Sequence, residues 1–340
     1  MRIRGRRLVA LLASILSGCA AGKPLPPGAA YLPRDSVFVL SLDLPTLTSS
    51  DLYKELKESG GRVGLNRINL LNFAKAAGLD PFKDVKWVTF VGRGRGDSAV
   101  PIDELSAVAS GFDGKKVYDF LKGSGLPSNP HEGMDIFPIV IVQDRCRFCL
   151  GVLDDTTAAF GDGETLKAMA DVRHAQGSGI SSETSAAALL GRIDPRAAVW
   201  GLVRGKDLSS GLADLLARIQ GGSKGTAGLA PISDLSFFVT PGENVVVAVD
   251  ALAGSNEDAL LMADVLQGAG SLGKLALKQA KPEESGLLSS FRVQVDGRLV
   301  RVSASVPQAK LVELARAAAG GLFNSAFPSI GIPSGLSTGR

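Results

Sequence analysis

The chain has 340 residues and a formal net charge of +3, a length that suits about two domains with cores of their own. Its apolar fraction of 45% and charged fraction of 21% exclude wholesale disorder. Three Cys and two His exclude a disulfide-dense miniprotein and a multi-histidine metal site, so we expect no metal and no cofactor.

The first 18 residues have the pattern of a secretion signal. Four arginines without any acidic residue precede an apolar run, residues 8–16, that is too short to span a bilayer. The sequence Leu16-Ser17-Gly18-Cys19 resembles the lipobox of bacterial lipoproteins. This resemblance implies cleavage between Gly18 and Cys19 and transfer of a diacylglyceryl group to the Cys19 thiol, an acyl anchor of the palmitate type. The alternative is an ordinary signal peptide in which Cys19 stands by chance.

Acylation of Cys19 would hold the mature chain in the cell envelope, since stable anchoring takes more than one acyl chain. Ala20, and not Asp, follows Cys19, which by the sorting rule of lipoproteins in diderm bacteria implies the outer membrane, with the periplasmic side favoured. Cleavage leaves 33 basic against 34 acidic residues, a formal charge of −1. We therefore expect no nucleic-acid partner, and no later apolar run is long enough for a second membrane span.

Composition divides the remaining chain into segments. Residues 19–30 are rich in Gly and Pro and are expected to form a tether between lipid and fold. Residues 174–193 begin with a Gly- and Ser-rich stretch and are expected to link two modules, residues 31–173 and 194–319. Residues 320–340 lose all periodicity, which predicts a disordered tail.

The two modules have similar patterns, which predicts an internal repeat. Three pairs of strand-like runs occur in the same order: residues 36–42 and 198–203, 84–90 and 234–239, and 107–109 and 246–248. A helix follows the third run of each module, and a strand pair with a closing helix ends both. We expect an α+β fold of two tandem related modules, each a mainly antiparallel sheet with helices packed on one face.

Helix signals accompany these strands. A helix is expected from about Ser50, capped by Ser49 or Ser50, and further helices at residues 114–121 and 256–266. A helix at residues 65–77 has no counterpart in the second module.

The last hairpin can be predicted in register. Asp296-Gly297 is a residue pair favoured in type I′ turns, and a two-residue loop there sets Val293 against Val300. The same register sets Arg292 against Arg301 on the polar face. Because like charges repel, we expect that face to be solvated, with anion binding as the alternative.

Short motifs before the strands resemble those of a group of duplicated bacterial envelope proteins without an established activity. They are Leu32-Pro33-Arg34-Asp35 before the first strand, and Gly78-Leu79-Asp80-Pro81 and Asp84-Val85 before the second. The resemblance covers about residues 31–318. It implies the fold and the envelope location, and no site residue.

Cys146 and Cys149 have the CxxC spacing of thiol redox enzymes, but they lie in a strand-like run. Residues three apart on a regular strand point to opposite faces, so a disulfide between them needs a bulge or bend. The envelope is oxidising, and lipidation of Cys19 leaves these two cysteines as the only pair. Three interpretations stay open: buried or unpaired thiols, a structural disulfide, and a redox or metal site.

No motif assembles a catalytic set. The Gly-rich run at residues 92–97 lacks the Lys-Ser/Thr of a phosphate loop and predicts a flexible turn, with anion binding as the alternative. The acid pairs Asp154-Asp155 and Glu283-Glu284 are typical of solvated turns. His131-Glu132 lacks the partners of a metal signature. We expect no catalytic residue.

These patterns favour a non-enzymatic envelope lipoprotein that binds or scaffolds an envelope protein or an apolar ligand. One alternative is an envelope enzyme, a hydrolase or a thiol-redox protein, with its site between the modules. The other is a carrier of an apolar ligand. A deep cleft lined by Cys146 or His131 would favour the enzyme, a dry cavity the carrier, and a filled junction the non-enzymatic protein.

Overall fold

The computed structural model describes residues 25–51, 53–54, 77–81, 83–94, 104–175, 177–205, 208, 231–280 and 289–311. Several predictions fall outside these residues: the signal peptide, Cys19, the helix at 65–77 except for its last residue, Glu283-Glu284 and the tail 320–340. The described strands are β1 (Ser36–Asp43), β2 (Trp87–Arg93), β3 (Glu104–Ser110), β4 (Asn129–His131), β5 (Met134–Val142), β6 (Arg145–Asp154), β7 (Thr157–Gly161), β8 (Val199–Arg204), β9 (Ile232–Thr240), β10 (Asn244–Ala253), β11 (Arg292–Asp296) and β12 (Leu299–Pro307).

All twelve strands belong to one antiparallel sheet with the order β11-β12-β10-β9-β8-β1-β2-β3-β7-β6-β5-β4. β1 and β8 lie side by side near its centre and pair over residues Phe38–Leu42 and Val199–Val203. From this pair the strands run outwards in corresponding order, β1-β2-β3-β7-β6 on one side and β8-β9-β10-β12-β11 on the other. The two halves of the chain therefore share one continuous sheet.

Five helices have defined bounds: α1 (Leu44–Ser49), α2 (Gly114–Gly123), α3 (Gly163–Arg173), α4 (Thr184–Leu190) and α5 (Asn256–Ala280). Residues 308–311 are also helical, where a closing helix is predicted after the last strand. Asp43, Asp113 and Asp162 cap α1, α2 and α3, since each carboxylate accepts a hydrogen bond from a backbone N–H of the first turn. The helix predicted from about Ser50 is confirmed in its described part: residues 51, 53 and 54 are helical, and the Ser50 hydroxyl accepts from the Tyr53 N–H at 3.2 Å. α1 is an additional helix that precedes it. None of the described helices is both long and apolar enough to cross a lipid bilayer.

Helices cover both faces of the sheet, so the expectation of helices on one face is wrong. α3 and α4 lie on the face that carries Val39 and Leu202, which we call face A. α2 and α5 lie on the opposite face, face B, where α2 packs on Leu150 and α5 packs on Ala251 and Val300. Alternation of side chains along each strand supplies both faces with apolar groups.

The core on face A is continuous across the junction of the two halves. Val39 of β1 and Leu202 of β8 form one of the paired positions and are fully buried. Trp200 of β8 packs in the same cluster, together with side chains of α3 and α4 that include Leu166 and Leu189. The junction between the halves is therefore filled with apolar side chains.

The segment at residues 174–193, predicted as a linker, is part of this core. It forms a 3-10 turn (Ile180–Ser182) and α4, and Ile180 and Leu189 are fully buried. Its start pairs with the N-terminal segment, since the Ile180 N–H donates to the Leu32 carbonyl at 2.8 Å. Because its apolar residues bridge both halves, the segment joins them and does not separate them.

The described part of the predicted tether, residues 25–30, is also packed. A 3-10 turn (Ala29–Tyr31) lies on face A, and Ala29 is buried. Gly28, with φ 83°, approaches Thr89 of β2 so closely that a Cβ at this position would overlap its side chain.

The last hairpin has a different register from the predicted one. Asp296 pairs with Leu299, so the two-residue turn is Gly297-Arg298, and Val293 faces Val302. Gly297 takes the first turn position with φ 59°, where type II′ turns require glycine. The slip is by two residues, so each side chain keeps its face, but Arg301 lies opposite Gln294 and not opposite Arg292.

We expect Gly201→Ala to destabilise the junction. Gly201 lies in β8 opposite Leu40, and an added Cβ would lie 2.8 Å from the Val39 carbonyl oxygen and closer still to the Phe237 ring. Overpacking of this kind costs about 1–3 kcal/mol. Urea unfolding followed by tryptophan fluorescence measures the loss, with Gly123→Ala, whose Cβ would meet nothing within 4 Å, as the control. Equal stability of both variants would contradict the tight packing at β8.

Candidate functional site

The structure joins Cys146 and Cys149 of β6 in a disulfide, with their Cα atoms 5.9 Å apart. Cys146 pairs with Ile141 of β5 and Phe148 pairs with Val140, so Arg147 is an extra residue in the strand. This bulge brings two residues that are three apart onto the same face, as a disulfide at this spacing requires. The local backbone therefore suits a CxxC pair without a helix.

The disulfide lies in a cleft of about 360 Å³ under the first turn of α3. The cleft is lined by Asn129, Ile136, Asp144, Arg145, Cys146, Cys149, Asp162, Gly163, Glu164 and Lys167. Cys149 is buried and Cys146 is partly exposed. A Cβ on Gly163 would lie 3.3 Å from both the Cys149 sulfur and the Cys146 Cβ, so the start of α3 packs against both cysteines.

A second cleft, of about 440 Å³, lies on face A beside the junction of the halves. It is lined by Pro33, Arg34, Asp35, Ala168, Asp171, Val172, Gly177, Ser178, Glu183 and Arg204. Its charged side chains form pairs: Arg34 with Glu183 at 2.8 Å, Arg93 with Asp35 at 2.6 Å, and Arg204 with Asp234 at 2.9 Å. Opposite charges across the cleft mouth thus neutralise one another.

The histidines belong to the border of this second cleft. His131 ends β4, and its Nε2 lies 2.7 Å from Oδ1 of Asp171, a residue of α3 that lines the cleft. His174 follows α3, and its ring lies beside Gly133 in the turn after β4. The described residues contain no group of three or more His, Cys, Asp or Glu side chains that could hold a metal ion.

Asp154 is not the solvated turn residue that the sequence predicts. Its carboxylate accepts hydrogen bonds from the Tyr31 hydroxyl at 2.8 Å and from the Thr156 N–H at 2.9 Å, and Arg173 Nε lies 3.5 Å away. Burial by itself would raise the pKa of Asp154, but these hydrogen bonds outweigh burial and hold the pKa below its usual value. Burial also raises the pKa of Tyr31, and the neighbouring carboxylate adds to that rise.

Asp250 is a second acid that sequence reasoning missed. It is fully buried in β10 and accepts hydrogen bonds from Arg192 at 3.1 Å and from Arg301 at 2.6 Å. Arg301 also lies over the Phe238 ring, 5.5 Å from its centroid, while Arg192 reaches Asp296 at 2.9 Å. Arg301 is thus held by a buried carboxylate, while Arg292 and Gln294 on the same face are exposed, as predicted for a solvated face.

The described acids and bases around both clefts serve mainly as structural partners of one another. General acid–base or nucleophilic catalysis needs a nucleophile or proton donor aimed at a site where substrate can bind. The His131–Asp171 contact orients an imidazole, but among the described residues no Ser or Cys side chain forms a hydrogen bond with that imidazole. The geometry offers an open groove on face A, in which charged side chains are paired with opposite charges.

The pairing of Cys146 with Cys149 leads to a chemical prediction. Under denaturing conditions, alkylation before and after reduction should show two additional labels per chain after reduction, because both thiols are held in the disulfide. The Cys146→Ser/Cys149→Ser double variant should gain none. Mass spectrometry counts the labels. Two labels taken up by the wild type without reductant would contradict the disulfide.

Asp154→Asn should lower the free energy of unfolding at neutral pH by about 1–3 kcal/mol, because hydrogen bonds to an ionised group are lost. The pKa of Asp154 is lowered in the folded state, so its contribution is present above the unfolded value of about 4 and disappears as pH falls through the folded value. Urea titrations should show that the difference in the free energy of unfolding between wild type and Asp154→Asn is smaller below pH 4 than at pH 7. Asp155→Asn, at the exposed neighbour, is the control, and a deficit independent of pH would count against this role.

Comparisons with known proteins found no matching family model, no similar curated protein and no similar solved structure. The function of this chain is therefore argued from its own residues.

Proposed function

We propose that the chain is a lipid-anchored lipoprotein of the cell envelope, held at the periplasmic side of the outer membrane, with a binding or scaffolding role and not an enzymatic one. The observation that carries the proposal is the lipobox at residues 16–19, with a segment packed on the sheet that begins a few residues later, at Pro26. A signal peptide that is removed before Cys19 leaves the lipidated residue as the start of the mature chain.

The short distance between anchor and fold supports a scaffolding role. Six peptide steps separate Cys19 from Leu25, which span at most about 20 Å when extended. Residues 26, 28 and 29 are buried against the sheet, so the chain after Leu25 adds little length to the connection between the anchor and the fold. The body would then stay near the bilayer surface, with the N-terminal end of face A towards the lipid.

We further propose that the two halves arose by internal duplication. The support is topological: from the β1–β8 pair outwards, the first five strands on each side follow in corresponding order. α2 and α5 follow corresponding strands, β3 and β10, and both pack on face B. A repeated module that forms one long sheet offers an extended surface for partners, which suits a scaffold better than a single reaction site.

Thiol–disulfide exchange is a second candidate, favoured by the position of Cys146 and Cys149 in a cleft beneath a helix start. A helix N-terminus stabilises a thiolate, and Cys146 is the partly exposed member of the pair. If exchange is the function, the Cys149→Ser variant should trap a mixed disulfide between Cys146 and a partner protein in envelopes. Absence of such adducts on non-reducing gels would remove this candidate.

The lipid anchor is tested by metabolic labelling. Cells given an alkyne fatty acid should incorporate label into the wild-type protein, and Cys19→Ser should abolish it because a hydroxyl is a far weaker nucleophile than a thiolate. Cys146→Ser is the matched control and should keep the label. Wild-type protein should fractionate with outer membranes and resist salt extraction, since acyl burial at about 0.8 kcal/mol per CH₂ does not depend on charge.

Two results would contradict the anchor. One is a wild-type protein that takes up no label, and the other is a Cys19→Ser protein that takes up as much as the wild type. In either case Leu16-Ser17-Gly18-Cys19 is an ordinary signal-peptide sequence and the body is not held by lipid.

A further inference from the structure

The helix α5 carries a second apolar stripe that no described residue covers. One side of this 25-residue helix packs on face B through Ala259, Met262 and Ala263, all of which are buried. Four large apolar side chains on another side are exposed: Leu261, Val265, Leu272 and Leu275. Exposed large apolar groups in a contiguous row mark an interaction surface.

The spacing of this stripe identifies the shape of its partner. Leu261, Val265, Gly268, Leu272 and Leu275 follow one another at intervals of four, three, four and three residues. Apolar residues at this alternating spacing form a narrow seam with a period of 3.5, which is the pattern by which one helix packs against another. A partner helix therefore fits the stripe better than a flat surface does.

Charges along α5 indicate that the partner helix has the same sequence in the opposite direction. The first half of the helix carries Glu257, Asp258 and Asp264, and the second half carries Lys274 and Lys278. An antiparallel copy sets the acidic half of one helix beside the basic half of the other. A parallel copy would set like charges side by side.

We propose that two copies of this chain associate through α5, as an antiparallel helix pair with two-fold symmetry. The stripe is self-complementary: Leu261 and Val265 of one copy face Leu272 and Leu275 of the other, and Gly268 near the axis lets the helices approach closely. Glu257 of one copy then lies near Lys278 of its partner copy. Each contact occurs twice, as an isologous interface requires.

A lipid surface is a poorer fit for the same stripe. Helices that lie in a membrane interface have a broad apolar face flanked by basic residues, whereas here the first half of the flank is acidic. The segment that leads to the N-terminus lies on face A, and α5 lies on face B, so the sheet separates the two. The separation from the N-terminus bears on a lipid surface through the proposed anchor at Cys19, whereas the charge pattern does not depend on that anchor.

The seam is tested with the full mature protein in detergent by sedimentation velocity over a concentration series. The wild type should form a dimer. Leu272→Glu should weaken dimerisation at least about 100-fold, because an apolar side chain is lost twice per dimer and replaced by a charge. Leu260→Glu is the matched control: Leu260 is exposed like Leu272, at 57% against 69%, but lies outside the seam, and should leave the dimer intact.

The direction of the helices is tested by charge exchange and cross-linking. Glu257→Lys should weaken the dimer and Glu257→Lys/Lys278→Glu should restore it. Gly268→Cys, at the axis, should cross-link to its own counterpart, whereas Gln279→Cys should not, because antiparallel ends lie far apart. Cross-linking at both positions would mean a parallel pair and would overturn the proposal.

Two other results would also overturn it. One is a wild type that stays monomeric throughout the series, and the other is an equal effect of Leu260→Glu and Leu272→Glu. If the protein is monomeric and the Cys19→Ser chain pellets with lipid vesicles in a manner that depends on Leu272, the stripe binds a lipid surface. Since the dimer test uses no fatty-acid label, its failure is distinguishable from failure of the lipid anchor.

Discussion

The pairing of β1 with β8 is the interaction on which the rest of the fold depends. It joins strands from the two halves of the chain into one sheet and aligns Val39 with Leu202 under the helices of face A. Both strands have neighbours on either side, so neither presents an unpaired edge at the centre. Buried apolar area at this pairing also fixes where the N-terminal segment and α4 can pack, since both lie over the same cluster.

Much of the secondary structure can be predicted from sequence. Alternation of apolar and polar residues locates most strands to within a few residues, and Asp296-Gly297 identifies a hairpin. The hairpin register was wrong because residue pairs alone do not fix which turn type forms: Gly297 suits the first position of a type II′ turn as well as the second position of a type I′ turn. The prediction of a linker is wrong because it rests on the Gly and Ser residues at the start of the segment. The buried residues Ile180, Leu189 and Leu190 follow, and local composition does not show that they pack in a core formed by distant parts of the chain.

The candidate site depends on contacts that no local pattern contains. Tyr31 and Asp154 are 123 residues apart in sequence, and Arg301 reaches Asp250 from a different strand. Two adjacent acids, as in Asp154-Asp155, predict a solvated turn, because the local sequence does not show the distant residues that bind them. The CxxC pair shows the opposite case. Its spacing alone indicates that a disulfide requires a bulge or bend in the strand, and the strand register places such a bulge at Arg147 of β6.

The β1–β8 pairing also sets an order of events for a chain that emerges N-terminus first. β1 can pair with β2 early, but its other edge remains unpaired until β8, far along the chain, has been synthesised. The core under α3 is incomplete until the same point. Contacts between distant segments form slowly because loop closure precedes any gain from packing. In that interval the apolar edge of β1, at the future centre of the sheet, is exposed to other chains. We therefore expect this protein to need a chaperone most after its first half has been synthesised and before its second half is complete.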